Sequence, residues 1–129
     1  MSTPTLWLTL QARDAPALID WYRDVLGFVL TAEHRDGDHV GHAELLTADG
    51  VGGLMLGSHV EGREWSIPPG SAHAYVVCAD PDALHERAVA AGAEVLRAPS
   101  DTDYGSREVT LRDPEGSSWT FGTYPGTGR

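Results

Sequence analysis

Leu6, Leu8 and Leu10 alternate with Trp7, Thr9 and Gln11, and this period of two predicts a strand with one apolar face and one mixed aromatic and polar face. The period then changes. Leu18, Trp21, Tyr22, Val25 and Leu26 recur three and four residues apart, which predicts an amphipathic helix capped by Asp14, with Pro16 in its first turn and Gly27 as its stop. Three strand-like runs follow, around 28–34, 39–46 and 52–57, with turn signals at Asp36-Gly37 and Asp49-Gly50. The first half reads β-α-β-β-β.

Periodicity lapses from Ser58 to Ser71, around Pro68, Pro69 and Gly70, which predicts a linker with Trp65 packed somewhere inside it. Beyond it the pattern returns. A shift of 66 positions lays Trp7 on His73, Asp14 on Asp80, Leu18 on Leu84 and Val29-Leu30 on Val95-Leu96. Near the end, the run 49–57 matches 114–122 once one residue is dropped. Caps fall on caps and strands on strands, so the chain is predicted to be a duplication: one domain of two βαβββ modules, about 4–57 and 71–125, joined by a linker at 58–70. The fold class is α+β, with helices outside a cupped pair of mixed sheets. Leu6, Leu8, Leu10 and Ala72, Ala74, Val76 are expected to face the helices. Turning the other sheet faces toward each other makes a cleft lined by Trp7, Thr9, Gln11, His73 and Tyr75, suited to a small ligand.

Composition narrows the chemistry. With 129 residues, 41% of them hydrophobic, the chain can bury a core without staples. It has neither a basic start followed by an apolar run nor a stretch near the roughly 20 apolar residues that cross a bilayer, so a soluble, cytoplasmic protein without membrane contacts is expected. The single cysteine, Cys78, supports neither a disulfide framework nor a thiolate zinc cage. A net charge of -10 has the wrong sign for nucleic acid or an anionic membrane. All nine basic residues are arginines, and the lack of lysine excludes Schiff-base catalysis and a P-loop.

The run Asp14 to Phe28, with Trp21-Tyr22-Arg23-Asp24-Val25-Leu26-Gly27-Phe28, resembles the first helix of the vicinal-oxygen-chelate superfamily of glyoxalases, bleomycin-resistance proteins and ring-cleaving dioxygenases. Ala91-Gly92-Ala93 is similar to the end of that family's second helix. Arg112-Asp113-Pro114-Glu115-Gly116, followed by Trp119, resembles the turn before its last strand. In metal-dependent members the ligands sit on the first and last strands of each module, and the resemblance carries those positions to Trp7, Met55, His73 and Thr120. Indole, thioether and threonine hydroxyl are poor donors to a divalent ion, so the inherited site is expected to hold no metal and no cofactor is expected. The resemblance then implies the drug-sequestering members: a binder of a small aromatic or planar molecule, working as a homodimer, with its cleft formed either within a chain or across the pair.

Among the cleft candidates, His73 has the imidazole that acts as acid, base or hydrogen-bond partner near neutral pH, and is the best catalytic candidate should the chain be an enzyme. His42 and Glu44 share one strand face; with His73 they give the alternative, a rebuilt divalent-metal site of two histidines and one carboxylate for a dioxygenase-like or other metal-dependent enzyme. Arg107, beside Glu108, Tyr104 and Gly105, is expected near the cleft mouth, where a guanidinium fork pairs with a ligand carboxylate or phosphate; with His73 it supplies a lyase, isomerase or hydrolase reading. Trp7, Trp65, Tyr75 and Tyr104 form a predicted aromatic wall. Trp119 and Phe121 alternate with Thr120 and should face the helices. Cys78 is placed on an apolar face that disfavours a thiolate.

Overall fold

The computed structural model describes residues 4–128. The first module comprises β1 (Trp7–Ala12), α1 (Ala15–Asp24), β2 (Val29–Asp36), β3 (His39–Leu46) and β4 (Gly53–Ser58). The second repeats it as β5 (His73–Val77), α2 (Pro81–Ala90), β6 (Glu94–Asp101), β7 (Arg107–Arg112) and β8 (Ser118–Gly122). Each module forms a four-stranded mixed sheet, in the orders β1-β4-β3-β2 and β5-β8-β7-β6. The first strand runs parallel to the last, because the intervening helix carries the chain back across the sheet. The chain is therefore an α+β fold of two βαβββ modules.

The duplication persists in local geometry. Asp14 and Asp80 cap their helices in nearly the same backbone conformation, at φ -128°, ψ 81° and φ -137°, ψ 81°. Each carboxylate accepts a hydrogen bond from the third residue onward, Ala17 at 3.2 Å and Ala83 at 3.0 Å. Helix α1 buries Ala15, Leu18, Ile19 and Tyr22 against its sheet, whereas α2 buries only Pro81 and Ala88. Gly27, at φ 73°, takes the left-handed conformation that ends the first helical segment.

Alternation sorts the side chains of each strand. Leu10, Ala43, Leu45, Leu54 and Leu56 of the first sheet are buried on the helix-covered face, as are Val109, Leu111, Trp119 and Phe121 of the second. Leu6 departs from the predicted phase: it precedes β1 and is 83% exposed, and the buried end of that face is Ala12. The two covered faces share one core, joined where Tyr22 and Phe28 of the first module pack edge-on and stacked around Trp119 of the second. The Tyr22 hydroxyl donates to Asp113 at 2.7 Å, and the Glu115 carboxylate accepts from the backbone N–H of Arg13 and Asp14 at 2.6 and 2.8 Å. From the second helix, Arg87 returns to the Asp24 carbonyl at 3.1 Å. No helix among the described residues is long and apolar enough to cross a membrane.

Candidate functional site

With one face of each sheet closed by its helix, the other faces carry the remaining chemistry. On the first sheet, Thr9, Gln11, His42 and Met55 line a cavity of about 320 Å³, walled on one side by Arg63, Trp65 and Ile67 of the linker. Trp65 thus packs beside the open sheet face, yet stays 69% exposed, with the Arg63 guanidinium 5.8 Å from its ring centre. His42 Nε2 and Glu44 Oε2 lie 2.8 Å apart, the side-by-side arrangement that strand alternation requires. Gln11 is held by His59 Nδ1 at 2.6 Å, so its amide is oriented before any ligand arrives. Trp7 lies flat over Gly53, its partner across the parallel β1–β4 pair, where any Cβ would collide with the indole.

Sequence alternation turns both open faces toward a cleft and leaves open whether one chain or a pair of chains forms it. The structure divides it. The cavity at Thr9, Gln11, His42 and Met55 includes no residue of the second sheet, while Trp7 meets His73 and Tyr75 in a separate cavity of about 450 Å³ between the modules. No strand of one sheet pairs with a strand of the other, and the shared core lies on their helix-covered sides.

The second open face centres on Glu108, which strand alternation in β7 sets opposite the buried Val109 and Leu111 and which is only 3% exposed. Arg97 donates to one carboxylate oxygen at 2.8 Å. Tyr104 and Tyr75 donate to the other at 2.7 and 3.2 Å. Gly122 leaves the room in which the Tyr75 hydroxyl and the Glu108 side chain meet. Burial works to raise the Glu108 carboxyl, but hydrogen bonds from Tyr104, Arg97, Ser106 and Tyr75 outweigh it and hold it below the ordinary carboxylate value. Elsewhere on this face, Thr120 is hydrogen-bonded to Thr110 at 2.9 Å, and His73 Nδ1 pairs with the Ser118 hydroxyl.

Arg107 is not at a cleft mouth. It alternates in phase with Val109 and Leu111, so its side chain leaves on the helix side, where Asp82 takes it bidentately at 2.8 and 3.0 Å and Asp101 adds a third contact at 3.2 Å. These carboxylates, Asp82 first, push the guanidinium pKa further up and leave no fork for a ligand. The alternation of Val109 and Leu111 was the signal that places Glu108, rather than Arg107, on the open face. Cys78 packs against the core, and burial raises its thiol pKa.

The donor set does not fit a metal ion. Of Trp7, Met55, His73 and Thr120, only His73 offers a strong ligand atom. His42 and Glu44 lie on the first sheet and His73 on the second, so the rebuilt three-residue site does not assemble within one chain. Among the described residues, no three His, Cys, Asp or Glu side chains gather where they could hold an ion.

Comparison with known proteins adds a family-level finding. The sequence model of the Glyoxalase/Bleomycin resistance protein/Dioxygenase superfamily matches residues 5–121. The crystal structure of TioX from Micromonospora sp. ML1 superposes with a TM-score of 0.77 at 26% identity, covering 95% of this chain and 98% of that one. TnmS3, an antibiotic binding protein from Streptomyces sp. CB03234, gives 0.74 at 23% identity, covering 94% of both chains. A superfamily member from Sphaerobacter thermophilus DSM 20745 gives 0.76 at 17%, covering 95% and 96%. The last two are likenesses of fold. No curated protein matches the sequence.

Proposed function

We propose, from the premise that this chain belongs to the Glyoxalase/Bleomycin resistance protein/Dioxygenase superfamily, that it binds a small planar or aromatic molecule on its open sheet faces without a metal ion, as a sequestering protein. The carrying observation is the cavity on the first sheet, where Trp65, exposed by 69% and without a core to fill, stands beside Met55, Thr9 and Ile67. An indole presented in this way offers a stacking surface with one polar edge. The description of TnmS3 as an antibiotic binding protein is consistent with this reading.

Two chains form the working unit in this proposal. Tyr75 and Val77 are 43% and 45% exposed on the second open face, and the cavity on the first lacks an opposite wall within the chain. A twofold pair that sets the first sheet of one chain against the second sheet of the other covers both. The pocket then joins Thr9, Gln11, His42 and Met55 from one chain with His73, Tyr75, Tyr104 and Thr120 from its partner.

Acridine is a suitable test ligand because it is planar, aromatic and absorbs tryptophan emission. Titration should quench emission saturably and equally before and after chelator treatment, and Trp65→Ala should weaken binding about tenfold. Stoichiometric metal in the purified protein, with quenching abolished by its removal, would defeat the metal-free reading. Binding that ignores Trp65→Ala would defeat the assignment of the cavity.

A further inference from the structure

We infer that the Tyr75–Glu108–Tyr104 network, with Arg97, is a recognition site that selects a ligand edge carrying an N–H or O–H donor beside an acceptor, as in an amide or a phenol next to a carbonyl. This inference deepens the proposed binding function and rests on it.

The argument begins with the direction of the protons. Glu108 is a carboxylate buried in the middle of a sheet face, and a buried charge is retained at a cost that an apolar residue would not incur. It accepts from both tyrosines at a single oxygen, 2.7 Å from Tyr104 and 3.2 Å from Tyr75. Each phenol has only one proton, and both are committed inward. What the rings present outward is therefore lone pairs. Tyr75 also lies 3.4 Å from the Ser106 hydroxyl. Tyr104, 56% exposed, is the more open acceptor. Its hydrogen bond to Glu108 raises the phenol pKa, so the proton stays in place across the neutral range.

Arg97 completes the pattern. Its Nη2 donates to the second Glu108 oxygen at 2.8 Å, and its side chain is 46% exposed. Among the described residues, its Nε and Nη1 have no hydrogen-bond partner, so they remain as donors on a side chain that shares Glu108 with the phenol acceptors. Glu108 neutralises the guanidinium charge, which makes the group a neutral amide's complement better than a carboxylate's. The rings are held in position by a buried carboxylate and by the space above Gly122, and this preorganisation limits the ordering cost of binding.

Benzamide and methyl benzoate are matched probes: both have a phenyl ring and a carbonyl, but only benzamide has N–H donors. Chemical-shift titration of the labelled full-length protein should show benzamide perturbing the amides of Ser106, Glu108 and Gly122, with methyl benzoate about tenfold weaker. Tyr75→Phe with Tyr104→Phe keeps both rings and should abolish the preference. Glu108→Gln, whose amide oxygen accepts at most two of the three donors, should break the network at one of them and reduce the preference to about twofold or less. Equal binding of the two probes, no benzamide perturbation at these amides, or a preference that survives in a folded double phenylalanine variant would each overturn the inference. Acridine binding measured in parallel separates the two readings. Its persistence alongside equal probe binding refutes donor selection alone; its absence refutes the binding function itself.

Discussion

Asp113 is 3% exposed and accepts at both oxygens: from the backbone N–H of Glu115, Gly116 and Ser117 at one, and from Tyr22 and the Trp119 indole at the other. It satisfies the turn before β8 and anchors a helix of the other module with the same side chain. Burial, followed by the nearby Asp113 charge, pushes the Tyr22 hydroxyl far above its ordinary value, so it remains a donor at every accessible pH. Tyr22→Phe should lower unfolding free energy by about 2 kcal/mol, measured by denaturant titration, because a hydrogen bond to a buried charge is removed while the ring packing stays. The Arg112-Asp113-Pro114-Glu115-Gly116 motif was legible in the sequence as a turn, but its second role was not. Tyr22 lies 91 residues away, and no local pattern announces that pairing. The misplacement of Arg107 has a different origin: charge and proximity to Tyr104 suggested a ligand contact, whereas strand phase decides which face a residue occupies.

At the level of elements, the sequence located both helices through their aspartate caps and the first four strands to within a few residues, and the repeat carried the same order to the second module, since caps, turns and alternation are local properties. It placed Leu6 inside a strand and Ser58 outside one, because strand ends depend on the partner's register: β4 continues to Ser58 opposite Ala12. The open faces depend on small residues under large rings. Gly53 lies beneath Trp7 at the start of β4, and Gly122 lies beneath Tyr75 at the end of β8. Gly53→Ala should therefore displace the Trp7 ring and cost about 1–3 kcal/mol, as overpacking does. A change in tryptophan near-ultraviolet circular dichroism together with a lower melting temperature would verify it, and an unchanged spectrum would contradict the stacked geometry.

For the molecule as a whole, acid is the informative stress. Glu108 is held below the ordinary 4.5, despite burial, by its hydrogen bonds, and Asp49 is held below 3.8, chiefly by its hydrogen bonds from Thr47 and the Val51 backbone. Both have depressed folded-state values, so their stabilisation is complete above the unfolded-state values and is lost as pH falls through the folded ones. Melting temperature should fall as pH drops below about 4.5, and Glu108→Gln should make that decline shallower. A variant that loses stability with acid as steeply as the native chain would show that Glu108 is not ionised in the folded state. The contacts through Tyr22, Glu115 and Arg87 fix the modules to one another without the middle of the linker, 61–67, whereas His59 is tied to Gln11 and Pro69 to Arg13. That middle segment nevertheless supplies Arg63, Trp65 and Ile67 to the cavity wall. Surface loops tolerate insertion at little thermodynamic cost, so changes in this stretch can reshape the cavity wall while the strands and helices that carry the fold remain unaltered.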